Sequence, residues 1–183
     1  LPVIENGIDL NVISNAKPIP RDNIHPNISN EDILTIQVSA FREQKNQPTL
    51  IKAINLLPSN FKLILVGSGE TMYKSINLVK QLKLEKRVFF LGDRADVPQL
   101  LKSSNIIALS TYYEGLSLSS IEGMASSRPF IASNVPGLSK LMINAGVLFK
   151  VDDFNSISSI ILKLTADNRC KYLYNPGEKD NSI

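Results

Sequence analysis

Two glutamates carry the most pointed chemistry in this sequence. Glu114 stands in the run Tyr112-Tyr113-Glu114-Gly115-Leu116, and Glu122 follows after Ser117–Ile121. Glu114 falls in a loop at a strand end, where Gly115 permits unusual backbone angles. Leu118, Ile121 and Met124 recur at helical spacing and are expected to be buried. Glu122 then lies about two turns past Glu114, on a face away from that stripe. One carboxylate can reach a sugar hydroxyl while the other reaches a ribose. Free amides at Gly115 and Leu116 would face a phosphate, because the first N–H groups of a helix lack internal partners. The plainer alternative is a pair of exposed charges at a helix end.

Three further loops hold candidate groups. Ser39-Ala-Phe-Arg42-Glu-Gln-Lys45-Asn46 follows a buried strand and opens a helix, so Arg42 and Lys45 stand where an anion would sit. A diphosphate clamp and a solvated charged turn both fit. In Gly67-Ser68-Gly69-Glu70 the glycines allow a tight turn and close backbone approach to a ligand. A dinucleotide fingerprint needs a third glycine, and Met72 takes that place. An ordinary strand-to-helix turn fits equally. In Asp93-Arg94-Ala95-Asp96-Val97-Pro98, Asp96 reads as a helix N-cap with Pro98 in the first turn. Asp152-Asp153 also reads as a cap rather than a metal site.

These loops need strands and helices to aim them. Apolar, β-rich runs are expected to form strands over 33–39, 62–67, 87–91, 106–109, 129–132 and 146–149. Helical patterns cover 47–57, 70–82, 96–102, 117–125, 137–143 and 155–164. Nearly continuous apolar strands indicate a sheet covered on both faces. Strand–helix alternation implies parallel, right-handed βαβ units, hence a three-layer Rossmann-like α/β domain with a parallel sheet of about six strands. In such sheets ligands bind beyond the carboxyl ends of the strands. Residues 11–32 are polar, carry Pro18, Pro20 and Pro26, and read as a connecting loop.

Composition narrows the function. With 183 residues and 43% apolar, the chain can bury one sizeable core. A net charge of +3 is too small to argue for nucleic acid, though it suits a phosphate-bearing ligand. His25 is the single histidine and Cys170 the single cysteine, which excludes multi-histidine metal sites and internal disulfides and fits a reducing, cytoplasmic compartment. No Asp-X-Asp occurs, so no metal site is expected and binding of a phosphate-bearing ligand is read as metal-independent. No stretch approaches the ~18 apolar residues of a membrane span, and Leu1–Asp9 lacks the pattern of a leader.

In these features the sequence resembles the C-terminal domain of the retaining GT-B glycosyltransferases of family four. The resemblance runs from about Val3 to Thr165. Its pieces, in order, are Val3–Asp9, Phe41–Asn46, Leu65–Glu70, Phe90–Pro98, Glu114-Gly-Leu through Glu122-Gly-Met-Ala125, and Pro129–Ser133. The two glutamates with seven residues between them are the most specific mark. The resemblance implies that Lys45 neutralises the donor diphosphate, that Glu114 contacts the transferred sugar, and that Glu122 binds the ribose. Gly115 and Leu116 would offer amides to sugar or phosphate. Ala40 replaces the usual arginine, and Arg42 is a substitute two positions later. Ser127 replaces a common glycine at a helix end, and Lys140 stands where glutamate is frequent.

The resemblance also implies an organisation. Residues 1–32 would form an interdomain junction and connecting loop, residues 33–168 the nucleotide-sugar-binding domain, and residues 169–183 a polar tail. The N-terminal acceptor domain is absent from this sequence, and the chain is expected to be inactive alone. The implied donor is a nucleotide sugar such as a UDP- or GDP-sugar, with no separate cofactor. The acceptor, a saccharide or lipid-linked saccharide, would bind mainly the missing half, and the full-length protein could sit peripherally on a membrane. Two other classes fit the residues: a sugar-nucleotide epimerase-like enzyme on a related fold, and a non-catalytic nucleotide-binding module.

Overall fold

The computed structural model describes residues 8–115, 117–143 and 145–166. Among them six strands form one sheet: β1 (Ile33–Val38), β2 (Phe61–Val66), β3 (Val88–Gly92), β4 (Ile106–Leu109), β5 (Phe130–Ser133) and β6 (Val147–Phe149). Every pairing is parallel, in the order β3-β2-β1-β4-β5-β6. The connecting helices are α3 (Gln47–Asn55), α4 (Met72–Gln81), α5 (Val97–Ser103), α6 (Leu118–Ala125), α7 (Pro136–Leu141) and α8 (Phe154–Ala166). Each expected strand and helix is present, with ends displaced by at most two residues.

Alternation along the strands builds two cores. Leu63 and Leu65 point to one face and pack with α3, α4 and α8; Ile64 and Val66 point to the other and pack with α5 and α7. This gives helix, sheet and helix layers. Arg87 closes the C-terminal end of α3, donating from Nη2 to the carbonyls of Ile54, Leu57 and Pro58 at 2.6, 3.0 and 2.8 Å.

Three expectations need correction. The segment read as a polar loop contains α1 (Leu10–Ser14) and α2 (Arg21–Ile24). Asp9 caps α1 by accepting from the Asn11 amide at 2.9 Å, and Ile13, Ile24 and Ile28 are buried, so sparse apolar residues sufficed to fold it down. The expected stripe of α6 is only partly buried: Met124 packs on the core, but Leu118 is 48% exposed, and the deepest positions are Ser120 and Gly123. The small residues let the helix approach the sheet closely. A Cβ on Gly123 would stand 3.1 Å from the Phe130 ring and 3.2 Å from Ile107. Asp96 sits at the start of α5 without capping it, because Arg94 takes its carboxylate in a fork of 2.7 and 2.6 Å. Asp153 does cap α8, accepting from the Ser156 amide at 2.9 Å. Ser127 keeps the left-handed conformation expected where glycine is common, with φ 59°.

Candidate functional site

The strand order reverses between β1 and β4, so the loops after these strands diverge and leave a crevice. Both loops carry charge into it. The first continues from β1 into a 3-10 turn at Glu43–Lys45, closed by Asn46 in the left-handed region at φ 43°. The second runs from Ser110 to Gly115. One backbone and one side-chain hydrogen bond zip them together: the Tyr112 amide donates to the Gln44 carbonyl at 2.8 Å, and Gln44 Nε2 to the Tyr113 carbonyl at 2.7 Å. Lys45 Nζ and Glu114 Oε2 meet as an ion pair, with side chains only 15% and 9% exposed.

A buried polar network holds this geometry from below. Gln37 lies near the carboxyl end of β1 and is fully buried. Its Nε2 donates to Ser39 Oγ at 2.9 Å and to the Lys45 carbonyl at 3.0 Å. Its Oε1 accepts from Ser110 Oγ at 2.9 Å. Thr111 is fixed through its amide to Ser133 Oγ at 2.9 Å. The sequence reading passed over these residues. A glutamine inside an apolar strand was the available signal, since buried amides must find partners.

Gly137 is a second omission. At the start of α7 it lies under the second loop, where a Cβ would come 2.0 Å from the Glu114 carbonyl oxygen and 2.6 Å from that of Gly115. Gly115 itself faces open space and is not among the positive-φ residues, so the backbone argument given for it belongs to Gly137 instead, as room for close approach.

The glycines after β2 also serve the fold. Gly67, at φ 127°, would place a Cβ 2.3 Å from the Ser39 carbonyl oxygen, and Gly69, at φ 151°, would do so against Phe41. The close approach they permit is to the chain's own first loop. Gly67 still borders a groove of 280 Å³, lined also by Ser39, Ser68, Asp93, Arg94 and Ser119, beyond the ends of β1 to β3. Ser119 and Glu122 are three residues apart on α6 and share a face. Glu122 is half-buried, and burial pushes its carboxyl above the ordinary range with no cation or donor opposing it among the described residues. Arg42 is exposed and lines a different hollow, of 120 Å³, with Lys52 and Lys74. The structure pairs Lys45 with Glu114, places Glu122 on the helix face that carries Ser119 to the groove, and leaves Arg42 at the separate hollow. Leu116 lies outside the described residues, as do the tail from 167 and residues 1–7 of the opening motif.

A wholly parallel six-stranded sheet with charged groups gathered at its switch point defines a Rossmann-like α/β domain, one half of the GT-B architecture. The profile of the family described as glycosyl transferases group 1 matches residues 19–180, and the chain belongs to that family. It is 30% identical over 178 residues to the UDP-Gal:alpha-D-GlcNAc-diphosphoundecaprenol alpha-1,3-galactosyltransferase of Escherichia coli, covering 91% of this chain and 46% of the relative. It is 31% identical over 144 residues to the N-acetyl-alpha-D-glucosaminyl L-malate synthase of Bacillus anthracis, covering 76% and 38%. The solved structure of Anabaena Alr3699/HepE in complex with UDP-glucose superposes with a TM-score of 0.81 at 28% identity, over 93% of this chain and 49% of that one. The chain thus spans less than half the length of each of these three proteins.

Proposed function

We propose that this chain is the donor-binding half of a glycosyltransferase that moves a sugar from a nucleoside diphosphate to an acceptor with retention at the anomeric carbon. The observation that carries the proposal is the Lys45–Glu114 ion pair between the loops that follow β1 and β4, where the strand order reverses, with the 280 Å³ groove beyond the ends of β1 to β3 to hold the nucleoside. UDP is the favoured nucleotide, supported by the UDP-glucose bound to HepE and by the UDP-Gal in the name of the Escherichia coli relative. The groove takes the nucleoside, with Gly67 at its wall. Glu122 accepts from the ribose hydroxyls, which supply the donors its half-buried carboxylate lacks.

Lys45 meets the diphosphate, assisted by the amides of Gly115 and Leu116, and Arg42 contributes charge from the rim. Lys45 pairs with Glu114, so the diphosphate competes with a carboxylate for it. As the bond between sugar and diphosphate breaks, the developing phosphate charge gains more from Lys45 than the intact donor does, which lowers the barrier. Glu114, released, orients a hydroxyl of the transferred sugar. The acceptor, a saccharide carried free or on a lipid diphosphate, binds chiefly a further domain, and the reaction runs on the cytoplasmic side of a membrane.

Calorimetry with UDP, GDP, ADP and NAD tests the reading. UDP should bind best, and Lys45→Ala should weaken UDP by about 1.5–3 kcal/mol while sparing uridine, because a charge-assisted contact is lost. Tighter binding of NAD than of any nucleoside diphosphate, or equal losses for UDP and uridine, overturns it.

A further inference from the structure

Asp152 stands in the turn between β6 and α8, remote in sequence from both charged loops. Its backbone is left-handed, with φ 61°, as is that of Asn46 beside Lys45, with φ 43°. Asp and Asn tolerate this region because a short polar side chain can bond locally. Here the two side chains bond each other, Asn46 Nδ2 donating to Asp152 Oδ1 at 2.8 Å. The same oxygen accepts from the Tyr112 hydroxyl at 3.2 Å and lies 3.1 Å from Thr49 Oγ1. Thr49 Oγ1 is also 3.0 Å from Asn46 Oδ1, so its single proton serves one oxygen at a time. The Asn46 and Thr49 arms are part-buried and the Tyr112 arm lies at the surface.

Asn46 adjoins Lys45 on the first loop, and Tyr112 stands two residues before Glu114 on the second. The Gln37 network fixes both loops from beneath, and Asp152 grips them from the side, at the hollow that Arg42 lines. We infer that Asp152 is a positioning residue, tethering both loops to the β6–α8 corner and so setting the distance between Lys45 and Glu114. It touches no substrate and acts through Asn46 and Tyr112. The inference rests on the proposed encounter of Lys45 with a donor diphosphate.

Glycine adopts a φ near 60° without strain, so Asp152→Gly removes the tether and leaves the backbone at ease. Asp152→Asn keeps an acceptor oxygen and tolerance of the left-handed region. The experiment titrates UDP and uridine into the wild type, Lys45→Ala, Asp152→Gly, Asp152→Asn and Tyr112→Phe. Asp152→Gly should bind UDP about tenfold more weakly, with uridine within about twofold, and Asp152→Asn should stay within about threefold of the wild type for both. A lowered melting temperature with an unchanged ratio of UDP to uridine affinity makes Asp152 a fold residue only and overturns the inference. Should Asp152→Gly not fold, Tyr112→Phe decides, since it cuts one arm alone. A selective loss of UDP affinity of about threefold supports the tether, and none overturns it. Lys45→Ala separates the two ideas. If it loses UDP selectively and the tether variants do not, the tether alone falls; if it does not, the diphosphate role falls and takes the tether with it.

Discussion

Glu122 is the residue where stability and the proposed function oppose each other. Burial raises its folded pKa above the unfolded value, so the folded protein favours the protonated carboxyl. That contribution is fully present below the ordinary carboxylate pKa and is lost as pH rises through the folded one. At neutral pH the charged side chain is therefore a cost to folding. Glu122→Gln should raise the melting temperature at pH 7 and leave it nearly unchanged at pH 4. The same substitution should weaken UDP binding by roughly 1–3 kcal/mol, because the ribose loses a charged acceptor. UDP affinity of the wild type should also fall as pH is lowered through the raised pKa. Thermal melts and calorimetry on one pair of proteins check all three, and a variant with lower stability and unaltered affinity removes Glu122 from the site.

The helix α7 sets the second loop through Gly137. Helix propensity alone favours alanine at such a position by up to ~1 kcal/mol. The contacts argue the other way: a Cβ at 2.0 Å from the Glu114 carbonyl oxygen cannot be relieved by a side-chain rotation, since both partners are backbone. Gly137→Ala should therefore destabilise by about 2 kcal/mol or more and displace Glu114 from Lys45. Urea unfolding gives the first number. A stabilised Gly137→Ala protein shows that the loop yields freely and that α7 does not position it. At this scale the sequence was read well for the strands and poorly for packing. Along α6 the expected stripe is exposed at Leu118 and packs on the core at Met124, and the deepest face belongs to Ser120 and Gly123, which permit a closeness to Phe130 and Ile107 that larger residues forbid.

For the whole molecule, the proposal gives the chain a donor site and leaves the acceptor to a second domain. The purified 183-residue chain should bind UDP and transfer no sugar to any acceptor, whereas the same chain joined to an acceptor-binding domain should be active. Turnover by this chain alone contradicts that division. Among the described residues no cluster of three His, Cys, Asp or Glu side chains is placed to share an ion. The diphosphate charge is assigned to Lys45 and to amides, so EDTA should leave the UDP dissociation constant unchanged. A rise of about tenfold or more on chelation transfers that role to a metal. No helix among the described residues is long and apolar enough to cross a membrane.

The alternation of apolar runs and helical periods was enough to read six parallel strands, their order of appearance and the loops that carry charge. These are local properties, written in side-chain spacing within each segment. The proposed roles of Lys45, Glu114 and Glu122 came from the family resemblance, but their placement in strand-end loops and on the following helix was legible for the same reason. The pairing of Lys45 with Glu114 was not, because those residues are 69 positions apart and meet only when β1 and β4 lie side by side. Gln37 beneath them, Gly137 against the Glu114 carbonyl and Asp152 bonded to Asn46 belong to the same class. Their reasons are contacts between segments distant in the chain, and such contacts exist only once the sheet has assembled and brought the strand ends to one edge.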